Sequence, residues 1–304
     1  MADASSVELE AAAAHFREHG YVVLSGFLTD CDLRPALNEL GLVFPTADEY
    51  HDSRDPELRA RFAGGVNAGI DYFPFASVEW SLLGVSQPLV GLAEALLDTS
   101  AIRVYELHNW AKYTGAADYE QDLHRDYGDH TLVVPTSDSA LGAVEMFIFL
   151  HDVPETHGPT HVVSQLVTAS LPPSLQRITR DAYPEIYAHE VSAAGPAGTV
   201  LAYRTDIFHR GTSMTALRGA RFALKASYRT VSDIWHVWID RLGANAQIGL
   251  AEEWHNFVER ATPRQLELLG FPPPGHQYWN MQTWSAVCQR YPAGDFSAFQ
   301  PADD

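Results

Sequence analysis

Five β-prone runs, at residues 102–108, 131–134, 144–150, 199–203 and 222–228, follow one another along the middle of the chain, separated by Gly, Pro and Asp. Short strands at such intervals predict an antiparallel sandwich or jelly roll. Residues 144–150, Val-Glu-Met-Phe-Ile-Phe-Leu, are apolar almost throughout, as a central strand buried on both faces requires. Helical patterns flank this region. Ser5 and Glu8 have capping-box spacing, and the alanine-rich run after them ends at Gly20, a residue suited to the position just past a helix. Residues 21–24 are β-prone, and further helices are expected over about 32–42 and 88–97. From about 234 the sequence is aromatic and helical again, with Trp235, Trp238, Trp254, Tyr278, Trp279 and Trp284, interrupted by Pro272, Pro273 and Pro274. No repeat, linker or low-complexity tract divides these parts. The expectation is therefore one domain over 1–304: a helical part to about 100, a β core over about 101–230 and a helical extension over about 231–304.

Charge narrows the partners such a fold would meet. Thirty-nine acidic side chains against 20 basic ones give a formal charge of −19, which repels phosphate backbones and anionic lipid headgroups. Neither nucleic acid nor a membrane is an expected partner. No apolar run approaches the length of a membrane span, and the acidic, helix-prone N-terminus lacks the basic and apolar segments of an export signal. Cys31 and Cys288 lie far apart and make no disulfide framework. A cytoplasmic protein is expected, and its oligomeric state is left open.

Chemistry concentrates around Leu123-His124-Arg125-Asp126. On extended backbone, residues i and i+2 point to one face, so the imidazole and the carboxylate could converge on one ion. With 14 histidines and 39 acids in the chain, such pairs also arise by chance, and a third ligand is needed. The strand-like run 198–203 leads through 204–208 to His209. Two histidines and one carboxylate leave three adjacent positions open on an octahedral ion, as in Fe(II) oxygenases. Arg221, twelve residues on, opens the last β-prone run. A guanidinium there is costly to bury unless it meets an anion, and its fork matches a carboxylate. Arg218 is the competing candidate.

Together with His15-Phe16-Arg17-Glu18-His19-Gly20-Tyr21-Val22-Val23-Leu24 and the segment from Leu150 to Gly158-Pro159, these residues give a chain that resembles the phytanoyl-CoA dioxygenase family of 2-oxoglutarate-dependent oxygenases. The resemblance implies a double-stranded β-helix, a cupin-like jelly roll, flanked by helices. It implies Fe(II) held by His124, Asp126 and His209, with 2-oxoglutarate and O2 as co-substrates. It further implies Arg221 as the clamp for the 2-oxoglutarate tail and Thr212 as a hydroxyl shortly after the distal histidine. On the strand before the His-x-Asp motif, one face would carry Glu106, His108, Trp110 and Lys112, of which Trp110 is the chosen helper at the co-substrate. Two departures stand out: Thr160-His161-Val162-Val163-Ser164-Gln165 replaces the family's usual Pro-Gly-Ser-His turn, and Ser213-Met214 stands where Asn is common.

Other readings explain less. The catalytic loop of protein kinases also begins His-Arg-Asp, but it needs Asn where this chain has Thr131. The His-Glu-x-x-His helix of zinc hydrolases is absent, although zinc binds such ligand sets more tightly than iron does. His108, His130, His151, His157 and His161 are expected to be structural or exposed, since three protein ligands suffice. With Asp126 completing the ligand set, oxidation without halogen incorporation is expected. The expected activity is oxidation of an unactivated C–H bond of a small molecule, hydroxylation by default, with release of succinate and CO2. Desaturation, epimerisation or cyclisation would use the same cofactors, and a metal-binding jelly roll that senses a ligand without turnover is the non-enzymatic alternative. The family's substrates span acyl thioesters, amino acids and natural products, so secondary metabolism is one setting and the substrate itself stays open.

Overall fold

The computed structural model describes residues 6–63, 68–116, 120–127, 142–231 and 252–301. Two antiparallel sheets form its centre. The larger has the order β1-β9-β5-β11-β3-β2, built from β1 (Tyr21–Leu24), β2 (Ile70–Tyr72), β3 (Ile102–Tyr113), β5 (Ala143–Phe149), β9 (Val200–Tyr203) and β11 (Ala220–Thr230). The smaller has the order β7-β4-β10-β6-β8, from β4 (Leu123–His124), β6 (Thr160–Val162), β7 (Arg177–Ile178), β8 (Val191–Ser192) and β10 (His209–Gly211). This is the expected jelly-roll architecture. Four of the five β-prone runs are strands, and the fifth, at 131–134, lies outside the described residues, as do Trp235 and Trp238.

Every residue of β5 is buried, so the apolar run at 144–150 is the central strand its composition demanded. Alternation then gives the large sheet two faces. Val144, Met146, Ile148, Val200, Ala202, Leu224, Ala226 and Tyr228 pack on one side in a cluster that includes Ala12, Phe16, Leu89 and Leu92 from helices. Phe147, Phe149, Leu201, Tyr203 and Ala223 face the other way and join Val162, Ala193 and Ile207 between the sheets. That inner layer is where the site forms.

Helices cover the outer face. α1 (Ser6–His19) ends at Gly20, whose φ of +81° and whose N–H bond to the Phe16 carbonyl at 2.8 Å make it the left-handed residue that stops the helix. Its capping partner Ser5 lies outside the described residues. The single helix expected over 32–42 is instead two, α2 (Asp30–Asn38) and α3 (Leu40–Val43); Glu39 leaves helical geometry at ψ 10° and caps the first while opening the second. α4 (Ala47–Asp52), α5 (Pro56–Phe62), α6 (Val78–Leu83) and α7 (Gln87–Leu97) complete the helical part. Residues Val78–Leu97 also correct the expectation about apolar runs: their 20 residues have the length and mean hydropathy of a membrane-span candidate. The stretch is broken between α6 and α7, and Trp80, Leu83, Leu89, Leu92 and Ala93 pack into the outer core, which accounts for its apolarity. Helices Glu252–Arg260, Pro263–Leu268 and Met281–Arg290 follow the β region, and Trp254 and Trp279 are core residues there. The departure at 160–165 also resolves: Thr160–Val162 is β6, paired to β10 and β8.

Candidate metal centre

Strand pairing brings the two histidines together. His124 in β4 and His209 in β10 are direct cross-strand partners, and their rings lie 4.5 Å apart. β4 stops at His124, so Asp126 arrives from the turn after the strand and not from the same pleat face. It still converges: Asp126 Oδ1 is 3.6 Å from His124 Nε2 and Oδ2 is 3.4 Å from His209 Nε2. One donor atom from each of the three residues lies within 4.8 Å of the others. Metal bonds of about 2.1 Å at right angles would bring neighbouring donors to about 3 Å, a small contraction from here.

The donor atoms are also in the right state. His124 Nδ1 lies 2.9 Å from the Asp122 carbonyl, and His209 Nδ1 lies 3.1 Å from the Ile207 carbonyl. A carbonyl only accepts, so each Nδ1 carries a proton, which leaves Nε2 as the ring nitrogen turned to the centre and able to bind a metal. Burial and the neighbouring His209 lower the His124 pKa to about 4, which Asp126 only partly offsets. Burial works against the Asp126 charge, but attraction to His209 and Lys225 outweighs it and holds the carboxyl well below its usual range. Two imidazoles with Nε2 turned to the centre and one carboxylate fit a divalent first-row metal with open positions.

Around this centre stand further residues, of which the sequence reading did not single out Tyr203, Glu145, Lys225 and Arg229. Tyr203 Oη donates to Asp126 Oδ2 at 3.3 Å. Lys225 Nζ, almost wholly buried, lies 3.9 Å from the same oxygen, 3.3 Å from Glu145 Oε2 and 3.7 Å from Glu106 Oε2. Arg229 donates to Glu145 at 2.8 Å, and His108 Nδ1 lies 3.0 Å from Glu106 Oε1. For Lys225 and Arg229 the available signal is the alternation Arg221, Ala223, Lys225, Ser227, Arg229 against Phe222, Leu224, Ala226, Tyr228, which gives β11 a face with the charged residues and an apolar face.

The remaining expected residues separate. Arg221 is buried, faces Lys112 across the β11–β3 pair and donates to the Gly158 carbonyl. Arg218 is half exposed and bonds Asp52 at 2.9 Å and Asp48 at 3.4 Å on the surface. Thr212 follows β10 and donates to the Pro159 carbonyl at 2.7 Å. Trp110 shares the inner face of β3 with Glu106, His108 and Lys112, with its ring 6.0 Å from Phe147 and 5.7 Å from His108. Among the described residues no other histidine joins the metal cluster: His151 Nε2 accepts from the Phe222 N–H, His157 lies beside Thr156, and His161 meets Glu190 at 3.3 Å. His130 lies outside the described residues.

Residues 16–220 match the family model for phytanoyl-CoA dioxygenase, a span that ends one residue before Arg221. No curated protein matches the chain in sequence. Among solved structures, the non-haem alpha-ketoglutarate-dependent epimerase SnoN from nogalamycin biosynthesis is 19% identical, covering 79% of this chain and 90% of its own, with a TM-score of 0.55. The carbocyclase SnoK from the same biosynthesis is 17% identical, covering 75% and 87%, with a TM-score of 0.54. EctD from S. alaskensis with bound Fe is also 17% identical, covering 74% and 77%, with a TM-score of 0.54. At such identities these likenesses establish a shared fold.

Proposed function

The chain belongs to the phytanoyl-CoA dioxygenase family of Fe(II)- and 2-oxoglutarate-dependent oxygenases, and from that premise we propose that it hydroxylates an unactivated C–H bond of a small molecule at iron held by His124, Asp126 and His209. The observation that carries this reading is the convergence of two Nε2 atoms and one carboxylate, with both Nδ1 atoms tied to backbone carbonyls. Iron with 2-oxoglutarate and O2 supplies the oxidising power and leaves succinate and CO2. The protein's share is to position and to shield. Arg221 binds the distal carboxylate of 2-oxoglutarate, and Thr212 and Trp110 flank it. Support comes from β11 and β3, where Arg221 and Lys112 are both buried and directly opposed; a guanidinium there has the planar fork that matches a carboxylate. Phe147, Phe149 and Leu201 keep water from this layer. We also read 1–304 as one domain, because a single apolar cluster runs from Ala12 and Phe16 to Trp279 and Phe299.

Anaerobic addition of Fe(II) and 2-oxoglutarate to chelator-treated protein should give the weak visible charge-transfer band of the chelate. His124→Ala and His209→Ala should abolish it, and a band that neither substitution weakens would show the ligand assignment to be wrong. O2 consumption coupled to succinate release then separates an enzyme from a ligand sensor.

A further inference from the structure

β11 carries three inward cations at four-residue intervals, Arg221, Lys225 and Arg229. At about 3.3 Å per residue, the outer two are about 26 Å apart. Lys225 sits midway, beside Asp126. The metal centre is thus bracketed along the strand: Arg221 marks the co-substrate side, and the other side holds a continuous chain of buried polar groups. His108 contacts Glu106, Glu106 contacts Lys225, Lys225 contacts Glu145, and Glu145 contacts Arg229. Parity places them between the sheets, because His108 pairs with Lys225 and Glu106 with Ser227, while the neighbouring pair Trp110–Ala223 belongs to the inner layer.

Buried ion pairs are weak contributors to stability, and replacing them with packed apolar groups is often neutral. Stability alone therefore does not explain the strip, and two atoms in it point to a ligand. His108 is 5% exposed, and its Nε2 has no hydrogen-bond partner among the described residues; Arg229 is 2% exposed, and its Nη1 has none either. The Glu106 carboxylate accepts from His108 Nδ1–H, which leaves a lone pair on Nε2. One site acceptor and one site donor stand ready. Around them the charges of Glu106, Glu145, Lys225 and Arg229 cancel, so nothing in the strip selects a net anion or a net cation.

We propose that this strip is the substrate-recognition surface, and that it takes a small neutral or zwitterionic molecule whose hydroxyl or amino group donates to His108 Nε2 while an oxygen of the same molecule accepts from Arg229 Nη1. Amino sugars, aminocyclitols and hydroxylated amino acids have this character; unsubstituted acyl chains do not. The assignment rests on iron lying at His124, Asp126 and His209.

The test is calorimetric titration of the anaerobic Fe(II)–2-oxoglutarate protein with amino sugars, aminocyclitols and hydroxy amino acids, each beside its deoxy or O-methylated counterpart, and with medium-chain fatty acids. Members with the free donor should bind at least tenfold more tightly than their counterparts. His108→Asn keeps a donor to Glu106 but removes the far acceptor, so it should erase that difference; His108→Gln places an amide oxygen near the Nε2 position and should restore part of it. Equal binding within the pairs, binding of fatty acids alone, no binding by any donor-bearing member, or discrimination that survives in the Asn variant each overturns the proposal. A wild-type protein without the visible chelate band overturns the iron assignment and this inference with it. A band without pair discrimination overturns only this inference.

Discussion

Arg218 and Arg221 stand three residues apart, yet the fold sends them to opposite environments. Arg218 reaches Asp48 and Asp52 on the surface, where water and salt screen an exposed pair until it contributes little. Arg221 is enclosed between the sheets opposite Lys112. Replacing Arg221 with Leu should raise the 2-oxoglutarate concentration needed for the chelate band by at least tenfold, since truncating one partner of a buried charge pair costs on the order of 2–5 kcal/mol. Titration of the band in Arg221→Leu and Arg218→Leu decides between them: an effect confined to Arg218→Leu would move the clamp to the surface residue. A second residue prediction concerns Tyr203, whose hydroxyl reaches the oxygen of Asp126 that also faces Lys225. Outer partners that orient a ligand are worth about 10–100-fold in metal affinity. Tyr203→Phe should therefore weaken Co(II) or Mn(II) binding by about tenfold with little change in secondary structure, and unaltered affinity would reduce the hydroxyl to a bystander.

At the scale of elements, the small sheet is held on its far side by charges. Arg210 of β10 chelates Glu190 through Nε and Nη2 and reaches Glu120 at 2.7 Å, while His161 of β6 meets Glu190 at 3.3 Å. Burial works against the Glu190 charge, but hydrogen bonds from His161 and Arg210 overcome it and hold the carboxyl at about 2. Its folded pKa lies below the unfolded value of about 4.3, so the unfolded chain binds the extra proton and stability rises with pH across that interval. The contribution of Glu190 is complete above about pH 4.3 and is lost as pH falls toward 2. Melting temperatures between pH 2 and 6 should fall on acidification less steeply in Glu190→Gln than in the wild type; parallel curves would assign the acid sensitivity elsewhere. These same strands show what the sequence could convey. β5 and β11 are long, regular and apolar on at least one face, so their period is visible in the chain. β4, β6 and β10 have two or three residues each, too few for a period, and exist because the long sheet gives them something to cover. The clustering of His124, Asp126 and His209 was legible through residue types and spacing. Lys225 and Arg229 share the parity of Arg221 but were passed over, because a charged residue in an apolar strand reads as an edge until pairing shows that the strand has neighbours on both sides.

For the whole molecule the governing quantity is charge. A formal −19 repels polyphosphate ligands at long range, and among the described residues many of the basic side chains are held by acids. Arg204 bonds Asp206, Arg210 and Arg180 share Glu190, Arg218 meets Asp48 and Asp52, Arg260 meets Glu79, Arg264 meets Glu94, and Lys225 and Arg229 share Glu145. Each of these cations already has an acidic neighbour, and the deepest of them lie inside the sandwich, beyond the reach of a coenzyme's phosphates. The prediction is that a CoA thioester is a poor substrate for this chain, whatever acyl group it carries. The check is substrate-stimulated succinate release with acyl-CoA esters beside amino acids, amino sugars and neutral acyl amides, at 20 and 200 mM salt. Acyl-CoA should not raise the rate above that of 2-oxoglutarate alone, and any weak stimulation should grow with salt as the repulsion is screened. Turnover of an acyl-CoA that outpaces every neutral or zwitterionic candidate, most of all one that weakens as salt rises, would mean that a basic surface exists and that net charge does not govern access to the site.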